Sequence, residues 1–179
     1  MVDLDGGKWR GGFSLGDVGM EYVPGLGSPY LAGTVQLQPM TLSLQHNAEH
    51  LTLTTELSRT RVSNQTSART FTTDGWYVQA TWRFLPRWQS WLRHESLYFD
   101  KDLKDGSAYS QIFLETLLGD SQAWVMGVRY TPTSQWSLSA EAHHITGAAI
   151  LSPQDNPGAI GTRFTRDWDM LLLQAAYHF

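Results

Sequence analysis

From Trp76 to Phe84 the chain alternates strictly between two kinds of residue. Trp76, Val78, Ala80, Trp82 and Phe84 fall on one face, and Tyr77, Gln79, Thr81 and Arg83 on the other. Such a period of two, rich in aromatic and β-branched residues, predicts a strand with a different environment on each side. Leu85-Pro86-Arg87 turns the chain, after which Trp88, Leu92 and Tyr98 resume the apolar face against Gln89, Arg93 and Glu95. Trp124, Met126, Val128 and Tyr130 alternate with Val125, Gly127, Arg129 and Thr131. Beyond a turn at 131–134, Trp136, Leu138, Ala140 and Ala142 alternate with Ser137, Ser139, Glu141 and His143. Upstream, Met40, Leu42 and Leu44 oppose Thr41, Ser43 and Gln45, and Leu51, Leu53, Thr55 and Leu57 oppose Thr52, Thr54, Glu56 and Ser58. Val18, Met20 and Tyr22 alternate with Gly19 and Glu21. The phase reverses around Pro39, which predicts a bulge inside one long strand.

About eight strands follow from this reading: 10–22, 30–46, 50–62, 75–85, 88–99, 121–131, 135–146 and 167–179, with ends uncertain by roughly two to four residues. Short turns at 46–50, 85–88 and 131–134 alternate with long polar loops at 62–74, 99–121 and 147–166. Regular alternation puts every short turn at one end of an antiparallel sheet and every long loop at the other. The expected fold class is therefore all-β: an antiparallel up-and-down transmembrane β-barrel of about eight strands, or the C-terminal portion of a larger barrel. The whole chain, 1–179, reads as a single domain.

The alternation also fits a soluble barrel or sandwich, whose one face is core. The aromatics argue against that. Trp76, Phe84, Trp88, Trp124, Tyr130, Trp136 and Tyr177 lie on the apolar face near strand ends, as an interfacial girdle would. The opposite face carries Arg83, Arg93, Arg129, Glu56, Glu95 and Glu141, too polar for a packed core.

Composition agrees. The 179 residues are 17% charged and 12% aromatic, with 8 Trp and no Cys, and the net charge is only −4. A basic nucleic-acid surface is thereby disfavoured, and the lack of Cys removes disulfide scaffolds, thiolate zinc sites and cysteine nucleophiles. Mean hydropathy is −0.30, and no apolar run approaches the roughly 20 residues of a membrane helix. Averaging a lipid face with a water face gives such a bland mean. The first ten residues hold Asp3, Asp5 and Lys8 and no apolar stretch, so they do not read as a signal peptide. Either the chain is mature or it belongs to something longer.

The last strand carries a resemblance. Leu171, Leu173, Ala175, Tyr177 and Phe179 alternate up to a terminal aromatic residue. The stretch resembles the terminal β-signal of bacterial outer-membrane barrels, which the barrel-assembly machinery recognises. Residues 74–84, with Trp88 and Leu92-Arg93, look similar to C-terminal strands of porin-like proteins, nearest the phosphate-selective porin group. The resemblance implies an outer-membrane location in a Gram-negative bacterium. It also implies passive passage of small solutes and contact with the bilayer and lipopolysaccharide, with homo-oligomers a further option. Barrels of that group are larger than eight strands, so this chain would form the C-terminal part. The family's basic constriction is not recognisable, since Lys occurs only at Lys8, Lys101 and Lys104.

On this reading the functional residues face the lumen: Glu56, Tyr77, Gln79, Arg83, Arg93, Glu95, Arg129, Glu141 and Gln174. The charged ones either tune selectivity or pair to fill a narrow interior. His143 and His144 are adjacent, point to opposite faces and cannot share a metal, while His46 and His50 flank a turn and His178 faces inward. No metal-ligand spacing occurs, and no cofactor is expected. Asp100-Lys101-Asp102 with Asp105-Gly106 is misspaced for a calcium loop, with Gln111 where the closing Glu belongs, and reads instead as an acidic extracellular loop that could meet lipopolysaccharide-bound divalent cations. Asn64-Gln65-Thr66 matches a glycosylation sequon, a chance match if the chain is bacterial as the resemblance implies. Residues 111–118 are compatible with a short helix. The 147–166 loop carries Pro153, Asp155 and Pro157 as turn chemistry. No nucleophile elbow or phosphate loop appears, and nothing in the spacing joins His143 to Ser152, so no enzyme is expected; a barrel enzyme is the third and weakest alternative, which a Ser/His or Asp/His cluster at the long-loop rim would reveal. A small closed barrel with a structural or adhesive role and no conduction is the competing expectation; pairing of Val18, Met20 and Tyr22 with the last strand would mark it.

Overall fold

The structure, a computed structural model, describes residues 2–23, 33–64, 69–104, 119–149, 151 and 165–179. They form β1 (Val2–Leu4), β2 (Trp9–Leu15), β3 (Val18–Tyr22), β4 (Gly33–Asn47), β5 (Leu51–Asn64) and β6 (Arg69–Leu85). The chain continues through β7 (Trp88–Tyr98), β8 (Asp120–Tyr130), β9 (Trp136–Gly147) and β10 (Asp167–Tyr177). All belong to one antiparallel sheet in the order β1-β2-β4-β5-β6-β7-β8-β9-β10, with β3 also on β4. Among the described residues no helix is long and apolar enough to cross a membrane.

Each strand read from the period is present, with three corrections. First, residues 10–22 form two strands, β2 and β3, laid end to end on β4: Leu15 pairs with Met40 and Val18 with Leu37. Only Gly16 and Asp17 interrupt them, and even there the Gly16 N–H donates to the Pro39 carbonyl at 2.9 Å. Second, the bulge expected at Pro39 does not exist, because β4 pairs with β5 without a shift from Val35↔Asn64 to Asn47↔Thr52. The register irregularity instead lies between β6 and β7, at Arg83 and Leu85. Third, the long loop expected at 62–74 is mostly strand, since β5 runs to Asn64 and β6 starts at Arg69. The period reads poorly there because the residues change character, as shown below. Residues 30–32, the short helix expected at 111–118 and Ser152 fall outside the described residues.

The sheet is not closed into a barrel. β3 pairs with β4 rather than with β10, and β1 occupies only the Trp9–Gly11 stretch of the β2 edge. β1 was not anticipated, being three residues joined to β2 through a tight turn at Asp5–Gly7 where Asp5, Gly6 and Gly7 all take positive φ.

Burial alternates along the strands in an inverted sense. On β8 the buried residues are Ser121, Ala123, Val125 and Gly127, while Gln122, Trp124 and Met126 are exposed. The exposed face carries Phe13, Leu42, Leu44, Leu53, Leu57, Trp76, Val78, Trp82, Leu92, Met126, Leu171 and Leu173, all large apolar side chains. Cross-strand register puts them side by side, for example Phe13↔Leu42↔Leu57↔Trp76. Isolated apolar residues on a surface are ordinary, but a continuous field across nine strands is not.

Candidate functional site

The sheltered face is the polar one, and register assigns its members. Glu56 faces Tyr77 across β5–β6, and Tyr77 faces Glu95 across β6–β7. Gln79 pairs with Arg93, and Arg83 with Gln89. Farther along, Arg129 pairs with Ser139, Glu141 with Gly127, and Gln174 with Ser139. All nine residues expected on one face therefore share it by register, although Arg83, Arg129 and Gln174 are themselves exposed.

Side-chain contacts divide them. The Arg93 Nε lies 2.7 Å from Glu95 Oε2, its Nη1 donates to Gln79 Oε1 at 3.5 Å, and Gln79 Nε2 donates to Thr81 Oγ1 at 3.0 Å. Glu141 Oε2 is 3.0 Å from Nε2 of His143, a buried imidazole. The Arg129 guanidinium sits 5.6 Å over the Trp91 ring, and Ser139 Oγ donates to Gln174 Oε1 at 3.5 Å. Glu56 makes no ion pair with any described residue. It borders a half-open recess of about 190 Å³ lined also by Ser58, Gly75, Tyr77, Glu95 and Ser121. A second recess of about 220 Å³ lies by the short turns, between Asn47, His50, Thr52, Arg83 and Gln89. Among the described residues no group of His, Asp and Glu side chains is arranged to hold a metal ion.

The sheltered face is not polar throughout. Val125 and Ile145 are fully buried there, with Ala123 beside them and Trp168 and Met170 packed on top. Trp91 lies across Gly127 so closely that a Cβ at residue 127 would fall well under 3.0 Å from the indole. Sequence reasoning missed this cluster. Its signal was present: Trp91, Val125 and Ile145 occupy the otherwise polar phase of their strands, with a glycine opposite the largest of them.

Aromatic rings on the exposed face fall into two rows. One holds Trp76, His94 and Trp124, with ring centroids 5.2 and 4.4 Å apart. The other, at the short-turn end, holds Trp9 with His46, then Trp82, Phe84, Trp88 and Tyr130, then Trp136 with Tyr177. All seven girdle residues expected from the sequence are among them. Leu171, Leu173, Ala175 and Tyr177 share this face on the β10 edge, and Phe179 follows it, fully exposed.

Above the first row the faces exchange character. Gln36, Gln38, Arg59, Arg61, Ser63, Thr70, Thr72 and Asp74 now hold the exposed side, and Val35, Leu37, Val62 and Phe71 the sheltered one. Arg59 grips Asp74 with two hydrogen bonds of 2.7 Å, Nε to Oδ1 and Nη2 to Oδ2. Those hydrogen bonds, helped by the charges of Arg59, Lys101 and Lys104, hold the Asp74 carboxyl below the usual carboxylate range. Comparison with protein-family models, curated proteins and solved structures finds no match to this chain.

Proposed function

We propose that this sheet is a wall segment of a bacterial outer-membrane β-barrel, the C-terminal part of a porin-like protein whose polar face lines a water-filled path for small solutes. One observation carries the reading: a continuous apolar field on the exposed face, bounded by two aromatic rows, behind a sheltered face of Ser, Thr, Gln and charged residues. Water-exposed sheets arrange these the other way round, whereas lipid rewards this arrangement. From Trp76 to Phe84 the strand spans roughly 26 Å at about 3.3 Å per residue, or about 20 Å of height at a tilt near 40°, close to the roughly 25 Å apolar band of such barrels. Every hydrogen-bonding group of a lipid-facing strand needs a partner, so the wall continues at both edges. The β2–β3 edge from Gly12 to Tyr22 has no neighbour among the described residues, and β1 starts a strand in register with it.

The terminal alternation at Leu171, Leu173, Tyr177 and Phe179 serves recognition by the barrel-assembly machinery, and the apolar field meets lipid and lipopolysaccharide. The decisive measurement is single-channel conductance in a planar bilayer, made on protein whose heat-modifiable gel mobility shows that it has folded into membrane. Discrete conductance is expected, with cation preference reduced by Glu56→Gln because that carboxylate has no ion-pair partner among the described residues. Folded protein without conductance sinks the porin reading in favour of a closed, non-conducting barrel. The packed cluster of Trp91, Val125 and Ile145 favours that second reading, since it fills part of the sheltered face.

A further inference from the structure

Immediately beyond the upper aromatic row, the exposed face carries an unusual concentration of cations for a chain with only 13 Lys and Arg. Arg59 lies one residue pair above Leu57↔Trp76, and Arg61 lies two residues farther along the same face. Lys101 is brought to them by its backbone N–H, which donates to the Thr72 carbonyl at 2.8 Å, Thr72 being the register partner of Arg61. Lys104 holds its ammonium 4.4 Å over the Tyr98 ring, and Tyr98 is the register partner of Asp74. Two carboxylates, a half-buried Asp74 and an exposed Asp102, face these four cations. Asp74 is gripped by Arg59, and Asp102 accepts from Lys101 Nζ at 2.8 Å. The third, Asp100, is buried and accepts the Asp102 N–H of its own turn. Among the described residues no carboxylate forms an ion pair with Arg61 or Lys104. On the far side of the sheet Asp120 continues the register row of Asp74 and Tyr98, while Asp167 and Asp169 on β10 lie in the rows of Trp76 and Val78. The exposed face therefore has a basic sector over β5–β7 and an acidic sector, set partly lower, on β8 and β10.

We infer that the basic sector of Arg59, Arg61, Lys101 and Lys104 is a docking surface for the phosphate groups of anionic membrane lipids. The inference rests on the membrane reading, because only that reading puts the sector at headgroup level. Cations stacked just outside an apolar band meet lipid phosphates at short range, where the surface charge is least screened. Arg61 supplies a fork matched to phosphate oxygens, and Lys104 a point charge fixed by the Tyr98 ring. The Arg59–Asp74 pair holds the sector's frame and leaves Arg61 and Lys104, which have no ion-pair partner among the described residues, for the ligand.

Flotation of the full chain with vesicles tests this. Phosphatidylcholine vesicles test the membrane reading alone: failure to float with them sinks that reading and leaves the headgroup question behind. Given flotation, vesicles containing a lipid with a phosphomonoester headgroup should raise partitioning by about 25-fold, since each unpaired cation near an anionic surface contributes roughly fivefold. The double variant Arg61→Gln, Lys104→Gln should lose that increment while floating normally on phosphatidylcholine, and 1 M salt should do the same. No increment, or an equal one in the double variant, overturns the inference. So does competition by millimolar inorganic phosphate, which would mark a free-anion site. Salt-sensitive self-association on neutral vesicles, with no lipid effect, would instead assign the basic sector to the acidic sector of a second copy.

Discussion

Two stretches of the same strands obey opposite rules. Between the aromatic rows β4, β5 and β6 expose Leu42, Leu44, Leu53, Leu57, Trp76 and Val78 and shelter Thr41, Ser43, Thr54, Glu56 and Gln79. Beyond the upper row they expose Gln38, Arg59, Arg61 and Thr70 and turn Val35, Leu37, Val62 and Phe71 to the other side, the last stacked on Phe99 at 5.0 Å. No residue is inserted between the two stretches, and the β4–β5 ladder runs through without a shift. The backbone geometry is thus unchanged while the chemistry inverts. A reversal of phase in a sequence has two causes: an extra residue turns the strand over, or the solvent outside it changes. The unshifted ladder excludes the first, and the proposed membrane reading supplies the second. The lengths agree, since β4, β5 and β6 have 15, 14 and 17 residues against the roughly 9–11 that cross a bilayer.

The contrast breaks first under charge. Leu44→Arg, in the apolar stretch, should cost about 3 kcal/mol of folding free energy in vesicles, whereas Gln36→Arg on the same strand and face should stay within about 0.5 kcal/mol. Urea titration followed by gel mobility measures both; equal, small effects would show that both stretches face water. The next effect concerns the sheltered face. Gly127→Ala should destabilise by about 2 kcal/mol, because its Cβ has no room beside Trp91. Gly11→Ala, where a Cβ meets nothing within 4 Å, should be nearly neutral. Third, Val62→Ala, which thins the sheltered apolar layer of the upper stretch, should cost about 1 kcal/mol. Thr54→Ala, on the same face between the aromatic rows, should change stability by less than half that.

The smallest effect is a pH dependence confined to the upper stretch. Asp74 has a folded pKa below its unfolded value, with the hydrogen bonds from Arg59 as the main cause. Its stabilisation is therefore present in full above the unfolded carboxylate pKa of about 3.9 and is lost as pH falls through the folded value. Asp74→Asn should lower the urea midpoint at pH 7 slightly and erase the difference from the parent protein at the acid end. A difference that persists or grows on acidification would refute the assignment.

Much of this was legible along the chain because a strand exposes its environment at every second residue. Trp76 to Phe84 sufficed to place Tyr77, Gln79 and Arg83 on one face, and the same rule placed Arg129 and Glu141. What one strand cannot reveal is what the opposite strand brings. Trp91 reads as an exception on a polar face until Gly127 is found beneath it. The three residues of β1 are too few to show a period, and the upper parts of β5 and β6 read as loop because their run of Ser, Thr, Arg and Asn carries too few apolar residues to show an alternation.

The sequence by itself determined the strands, their alternation and the chemistry of each face, because these depend on local geometry with a fixed period. Only the tertiary structure decided which face is sheltered, that the reversal near Pro39 needs no bulge, and that β3 lies on β4 rather than on β10. Those depend on register and on which strands meet, and pairing partners distant along the chain leave no periodic trace in either strand alone.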